Sequence, residues 1–272
     1  MIPSPFEYVP AGSAAEAVDL LRQHGDDAKL LAGGHSLLPM MKVRLAAPSM
    51  LVDIGAIPEL SYVRVVDGQL AIGAATTHQA VATSPEVRSQ VPLLAWSAGQ
   101  VGDPQVRHRG TIGGSLAHAD PAADLPMALS AVDCRVVVLG PSGQREIGAD
   151  EFFQGYFETA LAPDEMIVEV RMPVRPGQPW GYQKFTRRAN DWAIVGVAAV
   201  GGRAALANMG PAPVRALATE QAVAAGAGAT EAARLAAEEA DPAEDLHADA
   251  AYRRHLAQVL TKRALISAGI PA

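Results

Sequence analysis

Apolar and polar residues recur in patterns that divide the first part of the chain into short elements. Ser13 stands three residues before Glu16, which is typical of a helix start, and apolar residues then recur at helical spacing up to Gly25. Apolar runs at residues 28–31 and 50–54 predict two buried strands that lie parallel to each other. The glycine-rich segment between them therefore follows the carboxyl end of the first strand.

Antiparallel strands are predicted after these elements. Asp67-Gly68 between two apolar runs is typical of a type I′ turn, so residues 63–66 and 69–72 are expected to form a hairpin. Residues 77–98 have helical character that proline interrupts twice. Later segments have the composition of strands, and the last of them alternates like a half-buried strand: residues 135–139, 145–147 and 165–172.

The pattern changes near residues 173–179, where three prolines and one glycine fall within seven residues. Beyond this boundary strands are predicted at residues 182–185, 193–200 and 204–208. Gly201-Gly202 makes a tight turn between the last two. From Thr219 onward the chain is rich in alanine and is expected to be helical. The last helix, residues 248–266, is expected to carry Tyr252, Leu256, Val259, Arg263 and Ile266 on one face.

Composition narrows the possible functions. With 272 residues, of which 49% are hydrophobic, the chain can bury a substantial core. Its 22 basic residues against 29 acidic ones argue against non-specific binding to nucleic acid. No apolar run approaches the roughly 20 residues of a membrane span, and the N-terminus lacks a signal pattern, so a cytoplasmic location is expected. Cys134 is the single cysteine, so this chain cannot supply the four thiolates of an iron–sulfur cluster.

Two glycine-rich segments are the main candidates for ligand binding. Residues 101–126 are dense in Gly, Pro, Asp and His, have apolar runs too short for a core helix, and contain Thr111-Ile112-Gly113-Gly114-Ser115. Far upstream, residues 31–37 contain Gly33-Gly34-His35-Ser36. Glycines let the backbone approach a ligand closely, and successive N–H groups bind anions, so the two segments could bind two sides of one phosphate-rich ligand. Ordinary turns are the alternative interpretation.

Three segments, 32–48, 101–126 and 182–199, together resemble the FAD-binding medium subunits of molybdenum hydroxylases. This family belongs to the xanthine dehydrogenase superfamily, and within it the likeness is greatest to the medium chains of aerobic carbon monoxide dehydrogenases. The resemblance extends in order from Pro5 to Arg215, which is most of the chain.

The resemblance implies an α+β fold. A two-part FAD-binding domain of the PCMH or vanillyl-alcohol-oxidase type would occupy residues 1–55 and 56–175. A small C-terminal domain of antiparallel sheet plus helical bundle would occupy residues 176–272.

The resemblance also assigns roles to individual residues, with no catalytic or metal-binding residue among them. The segment that would bind the FAD pyrophosphate through its backbone is Ala32, Gly33, Gly34, His35, Ser36 and Leu37. The residues that would hold the other side of the diphosphate and the ribityl chain are Thr111, Gly113, Gly114 and Ser115. Asp124 would accept a hydrogen bond from a ribityl hydroxyl, and Lys184 would place a cation near the isoalloxazine. Leu161 would contact the ring system, and Trp192 would lie over it.

Simpler roles are open for several of these residues. Asp124 could cap the helix that follows it, and Lys184 could be an exposed strand residue. His118 could be a loop histidine without a chemical role. Residues 107–109, Arg-His-Arg, could be solvated, could face a partner subunit, or could meet the adenosine end of FAD.

The implied function is electron transfer within a heterotrimeric complex, paired as a heterohexamer. A large subunit with a molybdenum cofactor would oxidise the substrate, and a small subunit with [2Fe–2S] clusters would pass electrons to the FAD of this chain. A quinone, a cytochrome, NAD or oxygen would accept them, and the complex could meet the inner face of the membrane. The alternatives are a self-contained flavin reductase of the same FAD fold and a scaffold subunit without flavin.

Overall fold

The computed structural model describes residues 2–272, in which helices and strands alternate. The strands are β1 (Glu7–Pro10), β2 (Ala28–Leu31), β3 (Met50–Asp53), β4 (Val63–Val66), β5 (Gln69–Gly73), β6 (Arg135–Gly140), β7 (Gly143–Gly148), β8 (Phe153–Gly155), β9 (Glu158–Thr159), β10 (Met166–Pro173), β11 (Trp180–Phe185), β12 (Val195–Val200), β13 (Arg203–Ala207) and β14 (Val214–Arg215). The α-helices are α1 (Ala14–His24), α2 (Leu37–Lys42), α3 (His78–Thr83), α4 (Pro85–Gln90), α5 (Pro92–Gln100), α6 (Pro104–Arg109), α7 (Ile112–His118), α8 (Asp124–Ala131), α9 (Ala149–Phe152), α10 (Leu217–Ala224), α11 (Ala229–Ala232) and α12 (Ala250–Ser267). The α+β prediction is confirmed.

The N-terminal strands form a parallel sheet in the order β1-β3-β2. The helix α1 begins at Ser13, whose Oγ accepts the N–H of Glu16 at 3.2 Å, while the Glu16 carboxylate accepts the N–H of Gly12 at 2.7 Å. It ends at Gly25, where φ is +54°. This reciprocal capping confirms the predicted helix start and end, and the pairing of β2 with β3 confirms the predicted parallel strands.

The second sheet is antiparallel, in the order β4-β5-β10-β6-β7. Asp67 and Gly68 both have positive φ, as a type I′ turn requires, so the predicted hairpin is confirmed. The half-buried character expected for β10 is wrong. Alternate residues of β10 enter two separate apolar cores, with Ile167 and Val170 in one and Met166 and Val168 in the other, so both faces are covered.

Helices cover one face of this sheet and continue into the glycine-rich segment at residues 101–126. Proline interrupts the predicted helical stretch as expected, at the first positions of α4 and α5. Residues 101–126 contain α6, α7 and the start of α8, more helix than their short apolar runs indicate. The reason is capping, because the Asp103 side chain accepts the N–H of Val106 and the Thr111 side chain accepts the N–H of Gly114.

The C-terminal strands form an antiparallel sheet in the order β11-β12-β13-β14, with α12 packed across β11 and β12. Gly201 and Gly202, at φ +54° and +85°, form the predicted tight turn between β12 and β13. A Cβ on Gly181 of β11 would lie 2.6 Å from the carbonyl carbon of Ala264, so helix and sheet meet backbone to backbone.

The C-terminal part departs from the sequence pattern in its last helix, and the prediction of helix throughout from Thr219 is wrong. The buried face of α12 consists of Arg253, Leu256, Ala257, Leu260, Thr261, Ala264 and Leu265. Tyr252 and Ile266 are instead 42% and 44% exposed, because small residues on the other face let the helix approach the sheet closely. Residues 236–249 contain no regular helix. The Asp245 carboxylate there accepts the N–H groups of His247 and Ala248, which competes with helical hydrogen bonding.

Candidate functional site

One cavity of about 560 Å³ lies where the two glycine-rich segments and the C-terminal sheet meet. All fourteen residues singled out from the sequence line it: Ala32, Gly33, Gly34, His35, Ser36, Leu37, Thr111, Gly113, Gly114, Ser115, Asp124, Leu161, Lys184 and Trp192. Residues more than 150 positions apart therefore line the same cavity. The fold brings them together because the loop after β2, the start of α7, the start of α8 and the end of β11 converge.

The loop after β2 offers backbone donors to the cavity. Gly34 has φ +75°, and residues 33–36 lie between the end of β2 and the start of α2. The N–H groups of Gly33, Gly34, His35 and Ser36 have no hydrogen-bond acceptor among residues 2–272. Four successive donors without internal acceptors at a helix N-terminus form a concave site suited to an anionic group.

The second glycine pair has a different geometry. Gly113 and Gly114 lie in the first turn of α7, and their N–H groups donate to Ala74 O at 2.9 Å and to Thr111 Oγ1 at 3.1 Å. Gly113 is buried against Ala74, the residue that follows β5, since a Cβ there would lie 2.6 Å from the Cβ of Ala74. Gly114 is exposed toward the cavity and presents no side chain. This segment therefore lines the cavity without free N–H groups at its two glycines, whereas the first segment provides free N–H donors.

Asp124 and Lys184 form a buried ion pair at the cavity wall. Lys184 Nζ donates to Asp124 Oδ2 at 2.9 Å and to Gln100 O at 3.3 Å, and the Tyr182 hydroxyl donates to Asp124 Oδ1. Burial raises the pKa of Asp124, although the Lys184 ammonium and the Tyr182 hydroxyl oppose that change. Lys184 is thus not the exposed residue that its strand position suggested, since its side chain is 11% exposed. Asp124 does not cap α8 either, because Ala123 occupies the N-cap position.

Other cavity residues have distinct environments. Trp192 is 65% exposed at the rim, and Leu161 is partly buried against the main core. The His118 ring packs 5.1 Å from the ring of Phe157, and burial lowers the pKa of His118. The Arg107 guanidinium donates to the carbonyl oxygens of Val101 and Gly102, both at 3.1 Å. Arg107 therefore stabilises the chain before α6.

Sequence reasoning missed His78, which also lines the cavity. It follows the N-cap Thr77 of α3 and is 4% exposed, and its Nδ1 has no partner among residues 2–272. Burial, with smaller effects of His35 and Arg107, lowers the pKa of His78 to about 4. Thr76 and Thr77 lie between β5 and α3, and His78 is the first residue of α3, so a polar tripeptide at a helix start was the signal available in the sequence. Asp120, Asn190 and Asp191 are further cavity residues that no motif indicated.

Comparison with known families agrees with this geometry. A model of the FAD binding domain in molybdopterin dehydrogenase matches residues 4–175. The chain belongs to this family. A model of the CO dehydrogenase flavoprotein C-terminal domain matches residues 180–268. The resemblance seen in the sequence is thereby confirmed, and the chain is an oxidoreductase subunit whose cofactor is FAD.

Individual relatives cover almost the whole chain. The carbon monoxide dehydrogenase medium chain of Hydrogenophaga pseudoflava is 45% identical over 98% of this chain and 98% of its own length. The nicotine 6-hydroxylase medium subunit of Paenarthrobacter nicotinovorans is 36% identical over 97% of both chains. A solved structure of the Hydrogenophaga carbon monoxide dehydrogenase, lacking the Mo-pyranopterin moiety of its molybdenum cofactor, superposes with a TM-score of 0.96 at 46% identity over 99% of both chains.

The residues present fit FAD. The free N–H groups of residues 33–36 suit its diphosphate, and the missing side chain at Gly114 leaves room in the lining formed by the second segment. Apolar residues such as Leu161 and Ile167 line another part of the same cavity, which suits an aromatic ring system. Within residues 2–272 no helix is long and apolar enough to cross a membrane.

Proposed function

We propose that this chain is the FAD-carrying electron-transfer subunit of a heterotrimeric molybdenum hydroxylase. A large partner with a molybdenum cofactor would oxidise the substrate, and a small partner with [2Fe–2S] clusters would deliver the electrons here. The complex would be a cytoplasmic dimer of heterotrimers that passes the electrons to a quinone, a cytochrome, NAD or oxygen. The observation that supports this proposal is that one cavity is lined both by anion-binding donors and by the buried Lys184–Asp124 pair.

In this proposal, the residues of the chain bind and orient the cofactor. The N–H groups of residues 33–36 would bind the diphosphate, with Leu37 beside them, and the wall at residues 111–115 would hold its other side. Asp124 can accept a further hydrogen bond from a ribityl hydroxyl, since each carboxylate oxygen has two lone pairs. FAD supplies the exchange of electrons when bound. Lys184 would favour its reduction, because a nearby cation stabilises added negative charge.

The geometry favours electron transfer over a self-contained reductase. A flavin reductase that acts on its own substrate needs a general acid near the flavin. Burial lowers the pKa of His78 and His118, which makes both poor proton donors at neutral pH. The Asp124 carboxylate is paired with Lys184 and Tyr182. The four N–H groups of residues 33–36 have no acceptor among residues 2–272, which argues against a scaffold that binds no flavin.

The test compares the chain purified alone with the chain co-expressed with its partner subunits. Visible spectra and released cofactor should show one FAD per chain in the complex, and substrate of the large subunit should bleach the flavin absorbance. A Lys184→Met variant in the complex should lower the flavin reduction potential. Steady-state NADPH oxidation by the isolated chain would support the reductase instead. A complex without flavin would leave the scaffold as the better account.

A further inference from the structure

Asn208 does not line the FAD cavity, yet it contacts two of the loops that form its wall. Its side-chain amide donates to the carbonyl oxygens of Ala193 at 2.8 Å and Ile194 at 3.3 Å. Its backbone N–H donates to the carbonyl oxygen of Pro121 at 2.7 Å. One residue therefore connects the chain that follows Trp192 with the loop that leads into α8.

Both loops carry cavity residues. Residues 186–194 join β11 to β12 and place Asn190, Asp191 and Trp192 at the cavity. Residues 119–123 join α7 to α8, place Asp120 and Ala123 there, and end immediately before Asp124. The first loop belongs to the C-terminal sheet and the second to the helices that carry the second glycine pair. Their relative position thus sets where these residues stand in the lining of the cavity.

The residue type at position 208 suits this connection. Asn208 has φ +60°, a left-handed conformation that asparagine adopts more readily than most residues with a side chain. The turn follows the end of β13 at Ala207 and directs the N–H of Asn208 to Pro121. The two hydrogens of the side-chain amide are then available for two carbonyl oxygens on the neighbouring loop. Glycine would permit the same backbone but would offer no amide.

Arg253 binds the same end of this loop as Asn208. This residue of α12 is 1% exposed, its Nη1 donates to the carbonyl oxygen of Ile194, and its Nη2 donates to Asp245 Oδ2 at 2.6 Å. The carbonyl of Ile194 thus accepts hydrogen bonds from both Asn208 and Arg253. A buried guanidinium held by a carboxylate is a rigid donor, so the returning end of the loop has little freedom.

We propose that Asn208 is a positioning residue for the FAD site. It fixes residues 186–194 against residues 119–123, so that Trp192 and Asp124 keep their places in the lining of the cavity. The inference rests on the proposed FAD-binding role of the cavity and adds a residue that lies outside every glycine-rich motif. Asn208 acts through the two loops, since it has no surface in the cavity itself.

The test uses two variants in the complex purified with its partner subunits. Asn208→Gly keeps the left-handed backbone and removes the amide, whereas Asn208→Ala also introduces backbone strain. After removal of FAD and titration with fresh cofactor, the dissociation constant should rise about tenfold in Asn208→Gly and further in Asn208→Ala. The visible circular dichroism of the bound flavin should also change, because Trp192 would no longer be held at one position.

A double-mutant cycle with Trp192→Ala shows whether the effect passes through the loop. Asn208→Gly should weaken FAD binding much less in the Trp192→Ala background, because the side chain it positions is already missing. Additive effects would overturn the proposal. Tyr62→Phe, which removes a hydrogen bond to Glu169 in the second sheet, serves as a stability control with unchanged flavin dichroism.

Three other outcomes are possible: failure of the variant to assemble, unchanged FAD binding, and a wild-type complex that binds no FAD. If Asn208→Gly fails to assemble, Arg253→Lys tests the same loop, because a lysine ammonium cannot reproduce both guanidinium contacts. Unchanged FAD affinity and dichroism in the assembled variant would contradict the positioning role. A wild-type complex that binds no FAD would instead contradict the proposed function, and the two failures are thereby distinguishable.

Discussion

Gly33 lies directly against the carbonyl group of Arg109, so the two glycine-rich segments are in backbone contact. A Cβ on Gly33 would lie 2.7 Å from the Cα of Gly110 and 2.8 Å from the carbonyl carbon of Arg109. Distances under about 3 Å between such atoms require the backbone to move. The absence of a side chain at position 33 therefore sets how closely the donors of residues 33–36 approach the start of α7.

We expect Gly33→Ala to separate the two segments and weaken FAD binding. The added methyl group meets backbone rather than a flexible side chain, so we expect a loss of about 2 kcal/mol in the free energy of unfolding. FAD affinity should fall at least about tenfold, which corresponds to about 1.4 kcal/mol. Chemical denaturation and FAD titration measure the two effects.

Gly148→Ala is the matched control for this experiment. Gly148 has φ −65°, and a Cβ there would meet no atom within 4 Å. The control should change stability by less than about 0.5 kcal/mol and leave FAD binding intact. Equal effects of the two substitutions would show that the contact between Gly33 and Arg109 has no special role.

Substitutions at the two glycines of the second pair should affect stability and cofactor binding to different extents. Gly113→Ala places a methyl group against Ala74 in the interior, so it should lower the melting temperature. Gly114→Val projects toward the cavity and beside Thr111 Oγ1, so it should abolish FAD retention with a smaller loss of stability. Melting temperature and FAD content of the two purified variants make the comparison. Normal flavin occupancy in Gly114→Val would remove this segment from the site.

Local signals in the sequence account for what could be predicted. The Ser13–Glu16 pair, the Asp67-Gly68 turn and the Gly201-Gly202 turn each specify a conformation through a few neighbouring residues, and each is found in the structure. The two glycine segments were expected at one ligand because successive N–H groups bind anions. Both line one cavity, but only the first segment has free N–H groups, because those of Gly113 and Gly114 are bonded internally. Features that depend on a few neighbouring residues can be predicted from the sequence without knowledge of the fold.

Features that depend on tertiary contacts were missed or wrong. The buried face of α12 follows from the close approach of Gly181 to Ala264, which a periodic pattern in an alanine-rich helix does not reveal. The burial of His78 in the cavity wall depends on the tertiary fold, and Asn208 contacts Pro121, which is 87 residues away in sequence. The pairing of Lys184 with Asp124 spans 60 residues, so its burial could not be inferred from either strand or helix pattern.

We expect Lys184→Met to destabilise the protein in a manner that depends on pH. Loss of the cation leaves the Asp124 carboxylate buried without its partner, which should cost about 3 kcal/mol at pH 7. The pKa of Asp124 is already raised by burial, and removal of Lys184 raises it further. Because the folded state then binds a proton more readily than the unfolded state, the stability of the variant relative to wild type should recover as pH falls. Urea denaturation at several pH values measures this change.

Two comparisons test the assignment of this pair. Tyr182→Phe removes one hydrogen bond from Asp124 but leaves the cation, so it should cost about 1–2 kcal/mol. Lys29→Met changes an exposed lysine that also lines the cavity and should have little effect on stability. A pH-independent loss in Lys184→Met would mean that Asp124 does not depend on the ammonium.

His78 should make the protein less stable in mild acid. Its pKa is lowered from about 6.5 in an unfolded chain to about 4, because the ring is buried beside His35 and Arg107. Below pH 6.5 the unfolded chain takes up a proton that the folded chain does not, so stability falls until the pH reaches the folded pKa. The stability lost between pH 7 and 4 should be roughly 3 kcal/mol smaller in His78→Gln than in wild type, because glutamine does not titrate.

The measurement is denaturation across this pH range, together with an NMR titration of the His78 ring. His118→Gln, which changes a half-buried histidine, serves as the comparison. Equal acid sensitivity of wild type and His78→Gln would show that another group controls the loss.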